Sequence, residues 1–225
     1  MVRIHAGEQA NLASIFTYPK TKFELLDIIL MHMTTYILQG GKTKIESANN
    51  ELFFKQFTNL VQKDNVKILL CYWAREKKEW EELFKSDKAK ILKQSTKKTE
   101  INIIDTVESL KTQLKEADVL YFLGGEEEFL RPYVSELGFL KEALNNKIYI
   151  GSSMGAFLAS RHYVLSLSRQ NEDTVYDGLG LVPYNILCHW NIEKNRQKKI
   201  DMLKEKDPQT SLLLIEEQKF EKLII

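Results

Sequence analysis

The sequence, 225 residues long, predicts an α/β fold: three layers, α/β/α, around a mostly parallel central sheet. Three observations carry this. Apolar strand-like runs alternate with amphipathic helical runs from about Thr34 to the end. Runs such as "VKILLCYW" are apolar without a break, as in strands covered on both faces. Three strand-like runs end in glycine, at Gly40-Gly41, Gly124-Gly125 and Gly151, on the edge where such folds bind ligands.

The elements follow in order. Residues 1–32 lack the alternating grammar. "MVRIHAGEQANLASIFTYPK" has no sustained period, and "KFELLDIILMHM" alone shows helical spacing, through Phe23, Leu26, Ile29 and Leu30. We read 1–32 as an N-terminal extension and 33–225 as one α/β domain. "TTYILQGG" is a short strand with a glycine turn. "SANNELFFKQFTNLVQKD" is a helix with Leu52, Phe53, Phe57, Leu60 and Val61 on one face. "NVKILLCYW" is a buried strand and "EKKEWEELFKSD" a helix with a charged outer face. "EINIID", "TVESLKTQLKEA" and "DVLYFLGG" read as strand, helix and buried strand. "EEFLRPYVSELGFLKEALNN" is helical with Pro132 near its start. "KIYIG" leads through a serine turn into the helix "MGAFLASR". "YNILCHW", "EKNRQKKIDMLKEK" and "SLLLI" close the pattern as strand, helix and strand.

Composition excludes several classes. Net charge is +1 with 28% charged residues of both signs, so nothing argues for nucleic acid or an acidic surface as partner. The two cysteines, Cys71 and Cys188, sit in apolar runs, and there is no C-x-x-C and no His/Cys cluster with metal spacing. Two buried thiols suit a reducing compartment. The apolar runs are too short to span a membrane, and the first residues lack a secretory pattern. The expectation is a soluble cytoplasmic protein with no cofactor, no metal, no membrane partner and no nucleic acid.

Ser153 lies at the centre of Gly151-Ser152-Ser153-Met154-Gly155, between a strand and a helix. Small residues there let a helix pack closely on a sheet. The same G-x-S-x-G pattern builds the nucleophile elbow, whose glycines remove Cβ clashes from a strained turn. That chemistry asks for a small residue after the serine, and here it is Met154. A nucleophilic serine also needs a base. Of the four histidines, His5 and His32 fall in the irregular N-terminal part, and His162 follows the elbow helix. His189 ends the strand "YNILCH", on the edge that carries Ser153. The spacing is too compact for an α/β-hydrolase, where the histidine comes much later than the serine.

Four segments together resemble the peptidase E (aspartyl dipeptidase) and cyanophycinase family of serine peptidases. They are "YILQGG", "VLYFLGGEEEFL", "IGSSMGAFLAS" and "DGLGLVPYNILCHW", in order. The resemblance implies the flavodoxin-like fold of class I glutamine amidotransferases. It implies Ser153 as nucleophile and His189 as base. It implies an oxyanion hole at the backbone N–H groups of Gly125 and Met154, with Gly124, Gly41 and Glu126 beside the substrate. Met154 stands where the family usually has alanine, and Glu126 and Glu127 where it often has Asn/Asp and Thr. The third member of a triad is expected in the loop "RQNEDTVYDG", with Asp173 ahead of Glu172 and Asp177. Aspartyl substrates call for a cation, for which Arg131, Arg161, Arg169 and Arg196 are candidates.

The expected function is a serine hydrolase acting on a small peptide or amide, without a cofactor; a homodimer is compatible with it. Two alternatives stay open: a non-catalytic binding protein on the same scaffold, and an esterase or acyl transferase using the same pair.

Overall fold

The computed structural model describes residues 33–166 and 173–225. The helix expected over "KFELLDIILMHM" lies outside the described residues. The strands in chain order are β1 (Thr35–Gln39), β2 (Asn65–Cys71), β3 (Lys98–Ile104), β4 (Val119–Phe122) and β5 (Ile148–Ser152), then β6 (His162–Val164), β7 (Val175–Asp177), β8 (Tyr184–Leu187), β9 (Ser211–Leu214) and β10 (Phe220–Ile224). The helices are α1 (Ala48–Asn59), α2 (Trp80–Gln94), α3 (Val107–Gln113), α4 (Glu127–Val134), α5 (Leu140–Ala143), α6 (Met154–Ala159) and α7 (Arg196–Lys206).

The central sheet has the order β10-β1-β5-β4-β2-β3, parallel throughout except for β10, which runs antiparallel to β1 at the edge. The α/β class with a mostly parallel sheet and flanking helices is therefore as expected. One difference matters for function. "YNILCHW" and "SLLLI" do not extend this sheet. They form a second sheet, β7-β6-β8-β9, in which β8 pairs parallel with both β6 and β9. The strands β6 and β7, of three residues each, are too short to stand out in the sequence, and β10 has two charged residues among its five.

Burial on both faces explains the unbroken apolar strands. Every residue of β4 is buried, and Tyr121 in it meets two helix side chains edge-on, Phe57 at 5.0 Å and Phe53 at 6.2 Å between ring centroids. Such contacts stabilise beyond area burial. The sheet-facing stripe of α1 is Asn50, Phe53, Phe54, Phe57 and Thr58. Leu52, expected on that face, is 51% exposed. Asn50 takes a core position because its amide donates to the carbonyls of Lys42 and Ile45. Ser47 caps α1, its hydroxyl accepting the Asn50 N–H.

The helix expected over 127–146 is broken. It stops at Val134, and a 3₁₀ turn, Leu137–Phe139, leads into the short α5. Pro132 has no N–H to give the preceding turn, so the helix lacks a bond where it must continue. Helix α6 packs directly on the sheet backbone: a Cβ on Gly155 would fall 2.1 Å from the Phe122 carbonyl oxygen. The packing reading of the small residues therefore holds for Gly155. It does not account for Ser153.

The order of strands sets the site. β1, β5 and β4 are neighbours, so the Gly40-Gly41 turn, Ser153 and the Gly124-Gly125 turn lie side by side at one sheet edge. The second sheet brings the ends of β8 and β9 to the same place.

Candidate active site

Ser153 joins β5 to α6 with φ 49° and ψ −106°, a strained backbone for a residue bearing a Cβ. Backbone bonds hold it there. Its N–H donates to the Gln39 carbonyl at 2.8 Å, and its carbonyl accepts from Ala156 and Phe157, each at 2.9 Å. A serine at a helix start ordinarily caps the helix with its hydroxyl. Ser153 makes no such bond; its Oγ lies 3.0 Å from His189 Nε2.

His189 lies just past β8, because the strand stops at Leu187 rather than at the histidine. Its φ is 56°, and its N–H donates to the Gly40 carbonyl at 3.1 Å. The imidazole packs against the turn after β1. A Cβ on Gly41 would fall 2.2 Å from His189 Cε1, and the Gly41 φ of 114° is one that other residues rarely adopt.

The other ring nitrogen, Nδ1, lies 2.8 Å from Glu217 Oε1. A carboxylate only accepts, so Nδ1 carries the proton and Nε2 offers its lone pair to the serine hydroxyl. The His189 and Glu217 side chains are only 11% and 10% exposed. The Glu217 N–H is fixed on Asn191 Oδ1 at 2.8 Å.

The acid on the imidazole is thus not in the loop after β6. Asp173 is 71% exposed and paired with Lys198 at 2.5 Å. Asp177 bonds His162 Nδ1 at 2.8 Å, and Glu172 lies outside the described residues. Strand order explains the correction. β7, which follows that loop, is at the far edge of the second sheet, whereas β9 is the direct neighbour of β8. Register aligns Leu187 with Leu214, so the residues after both strands emerge together. Glu217 was signalled by an acid-rich turn, "EEQK", directly after the strand "SLLLI".

Gln39 was also missed. It is fully buried at the end of β1. Its Oε1 accepts from the Gly41 N–H at 2.7 Å and from the Ser152 hydroxyl at 2.8 Å, while Nε2 donates to the Gly41 carbonyl at 2.8 Å. One amide therefore ties the residue before the serine to the turn under the histidine. A glutamine closing an apolar strand was the available signal.

Gly124 borders the serine. A Cβ there would fall 2.6 Å from Ser153 Cβ and 3.3 Å from the Met154 nitrogen. Met154 is buried, and with Gly124 and Gly125 it lines a cleft of about 1150 Å³ that opens over Ser153 and His189. Glu126 and Glu127 line the same cleft. The charge of Glu127 is offset by Arg131, whose Nε donates to it at 2.8 Å and whose Nη2 also bonds it. Two of the other candidate cations are engaged elsewhere. Arg161 pairs with Asp207 at 3.3 Å. Arg196 donates to the carbonyls of Trp190 and Asn191. Arg169 lies outside the described residues. Lys42, Lys44, Arg75 and Lys90, none of them singled out by the sequence, do line the cleft.

Two further groups complete the electrostatics. Asp87, on the cleft floor, is buried and accepts from the Tyr72 hydroxyl at 3.3 Å. Burial pushes its carboxyl up to about 6, against the pull of nearby Lys90. Cys188 is fully buried beside Ser153, its thiol 3.8 Å from the Ser153 carbonyl. Burial pushes that thiol far up, so it stays protonated and is no rival nucleophile. Among the described residues no three His, Cys, Asp or Glu side chains gather as metal ligands, and no helix is long and apolar enough to cross a membrane.

Comparison with known proteins shows the family and the fold. The model of peptidase family S51 matches residues 36–221. Among solved structures, a peptidase from an acI-B1 Actinobacterium is 16% identical over 88% of this chain and 90% of its own, with a TM-score of 0.54. A protein assigned as peptidase E from Listeria monocytogenes EGD-e is 17% identical over 86% of this chain and 94% of its own, also with a TM-score of 0.54. No curated protein matches. The structural likenesses carry the fold, and the family match runs from β1 past Glu217: the chain belongs to peptidase family S51 and is a serine peptidase.

Proposed function

We propose that Ser153 is the nucleophile, His189 its base and Glu217 the acid that orients the imidazole, in the hydrolysis of a small peptide or amide through an acyl-enzyme. Ser153 Oγ attacks the scissile carbonyl carbon as its proton passes to His189 Nε2. The carbonyl oxygen becomes an oxyanion, received by the N–H groups of Gly125 and Met154. The C–N bond then breaks, and Nε2 returns the proton to the leaving amine. Water attacks the resulting ester, giving its proton to Nε2. The C–O bond breaks, Ser153 regains its proton and the carboxylic acid product leaves. Glu217 accepts the hydrogen bond from Nδ1–H throughout, without taking the proton, and stabilises the imidazolium.

The observation behind this reading is that a strained serine leaves its helix uncapped to meet an imidazole at 3.0 Å, itself held by a carboxylate at 2.8 Å. A cleft of about 1150 Å³ suits a short peptide rather than a folded protein. Cys71 and Cys188 are buried free thiols, which favours a reducing compartment such as the cytoplasm. The test is labelling with an alkyl fluorophosphonate, read by mass spectrometry. Ser153 should carry the adduct, and Ser153→Ala and His189→Ala should not react. Turnover of nitrophenyl esters with no cleavage of any short peptide would point to an esterase instead.

A further inference from the structure

Arg75 lines the cleft and bonds the backbone of Gly124, the residue that borders Ser153. It follows β2 in a tight turn, its N–H donating to the Tyr72 carbonyl at 2.8 Å. The Trp80 indole N–H donates to its carbonyl at 3.0 Å. The side chain reaches across to the turn after β4, where Nε donates to the Gly124 carbonyl oxygen at 2.6 Å. The next residue but one is pinned as well: the Glu126 N–H donates to the Ala74 carbonyl at 2.7 Å. The turn has no room to shift. A Cβ on Gly125 would fall 1.9 Å from the Ala74 oxygen and 2.9 Å from Arg75 Nε.

The Gly124 carbonyl and the Gly125 N–H belong to one planar peptide group, and in a trans peptide they point in opposite directions. A guanidinium fixed on the oxygen therefore fixes the direction of the N–H. A charged donor on the carbonyl also polarises the amide and strengthens its N–H as a donor. We propose that Arg75 is a positioning residue for acyl transfer, aiming and polarising the Gly125 N–H at the oxyanion through the Gly124 carbonyl. This rests on the reading of Ser153 as nucleophile.

The test uses the full chain and an alkyl fluorophosphonate that carries no carboxylate. Ser153 Oγ bonds phosphorus, fluoride leaves, the serine proton passes to His189, and the phosphoryl oxygen occupies the oxyanion site. Losing an oxyanion donor costs about 10²–10³ in rate, and misaiming one should cost about 10- to 100-fold. Arg75→Gln and Arg75→Lys should slow labelling by that factor, since lysine keeps the charge but not the fixed in-plane N–H. On a cleaved peptide, kcat should fall while KM changes little. Added guanidinium should restore part of the labelling rate of Arg75→Ala, a rescue that a merely structural role would not give.

Unchanged labelling in Arg75→Gln and Arg75→Lys would overturn the proposal, and if KM for acidic peptides rose alone, Arg75 would instead be a substrate ligand. The underlying reading fails separately. A parent protein that does not label at Ser153 would sink the nucleophile assignment and this proposal with it. A parent that labels normally beside unaffected Arg75 variants would sink this proposal only.

Discussion

Replacing Glu217 by glutamine tests the assignment most sharply, because the sequence pointed to a different acid. Glutamine keeps the size and removes the charge. Its amide can also present N–H to Nδ1, which would force the proton onto Nε2 and leave the serine without an acceptor. The magnitude follows from the geometry. Carboxylate and imidazole approach to 2.8 Å between nearest atoms, with both side chains nearly enclosed. Their charges are spread over two atoms each, so about 4 Å is a fair separation of charge centres. At an effective dielectric of about 20, that pair is worth about 4 kcal/mol once the imidazole is protonated. The transition state carries this imidazolium and the ground state does not. Glu217→Gln should therefore lower turnover about 10³-fold, a factor of 10 for each 1.36 kcal/mol. The assay is steady-state hydrolysis of a peptide identified by library screening, with fluorophosphonate labelling rates as a substrate-independent check. Asp173→Ala and Asp177→Ala are the controls, since these acids pair with Lys198 and His162. Turnover within 10-fold of the parent for Glu217→Gln, or a large loss for Asp173→Ala, would refute the reasoning.

Ser153→Ala and His189→Ala should each lose about 10⁴-fold or more in turnover, and the double variant little beyond that, because the two act as a unit. Additive losses would show two independent residues. Ser152→Ala should keep most activity while losing about 1 kcal/mol of stability, the bond of its hydroxyl to Gln39, as measured by urea unfolding. Loss of activity in Ser152→Ala with retention in Ser153→Ala would reverse the roles. Asp87 should make stability pH-dependent. Its carboxyl rises from 3.8 to about 6 on folding, so the folded state holds the proton longer. That contribution is complete below pH 4, is lost as pH rises, and levels off above 6, a change of about 3 kcal/mol. Asp87→Asn lacks this loss, so relative to the parent it should gain about that much between pH 4 and pH 7. A difference that does not move with pH would reject this account. Deletion of residues 1–32 should leave a folded domain with a cooperative melt, checked by calorimetry; aggregation of the truncated chain would count against the domain boundary.

The sequence by itself determined the class of fold and pointed to two residues of the candidate site. Unbroken apolar strands such as "VLYF", alternating with amphipathic helices, fit a parallel sheet covered by helices on both faces. A glycine turn after each of two such strands, and a serine elbow after a third, marks the working edge without any knowledge of strand order. Ser153 and His189 could be named on local grounds, because each stands just after a strand. Where local periodicity misled, the cause was where the stripe is centred. Leu52 faces solvent because, at 3.6 residues per turn, it stands nearly opposite the stripe of Asn50, Phe53, Phe54 and Phe57. What only the tertiary structure decided is who meets whom. Glu217 reaches His189 because β9 pairs with β8 in a second sheet, and the loop of Asp173 leads to the opposite edge. Gln39 and Arg75 reach the site through bonds to the Ser152 hydroxyl and the Gly124 carbonyl, each made across a long stretch of chain. Strand neighbours and side chain to backbone bonds of this kind depend on the packing of the whole chain. No short window of sequence carries them.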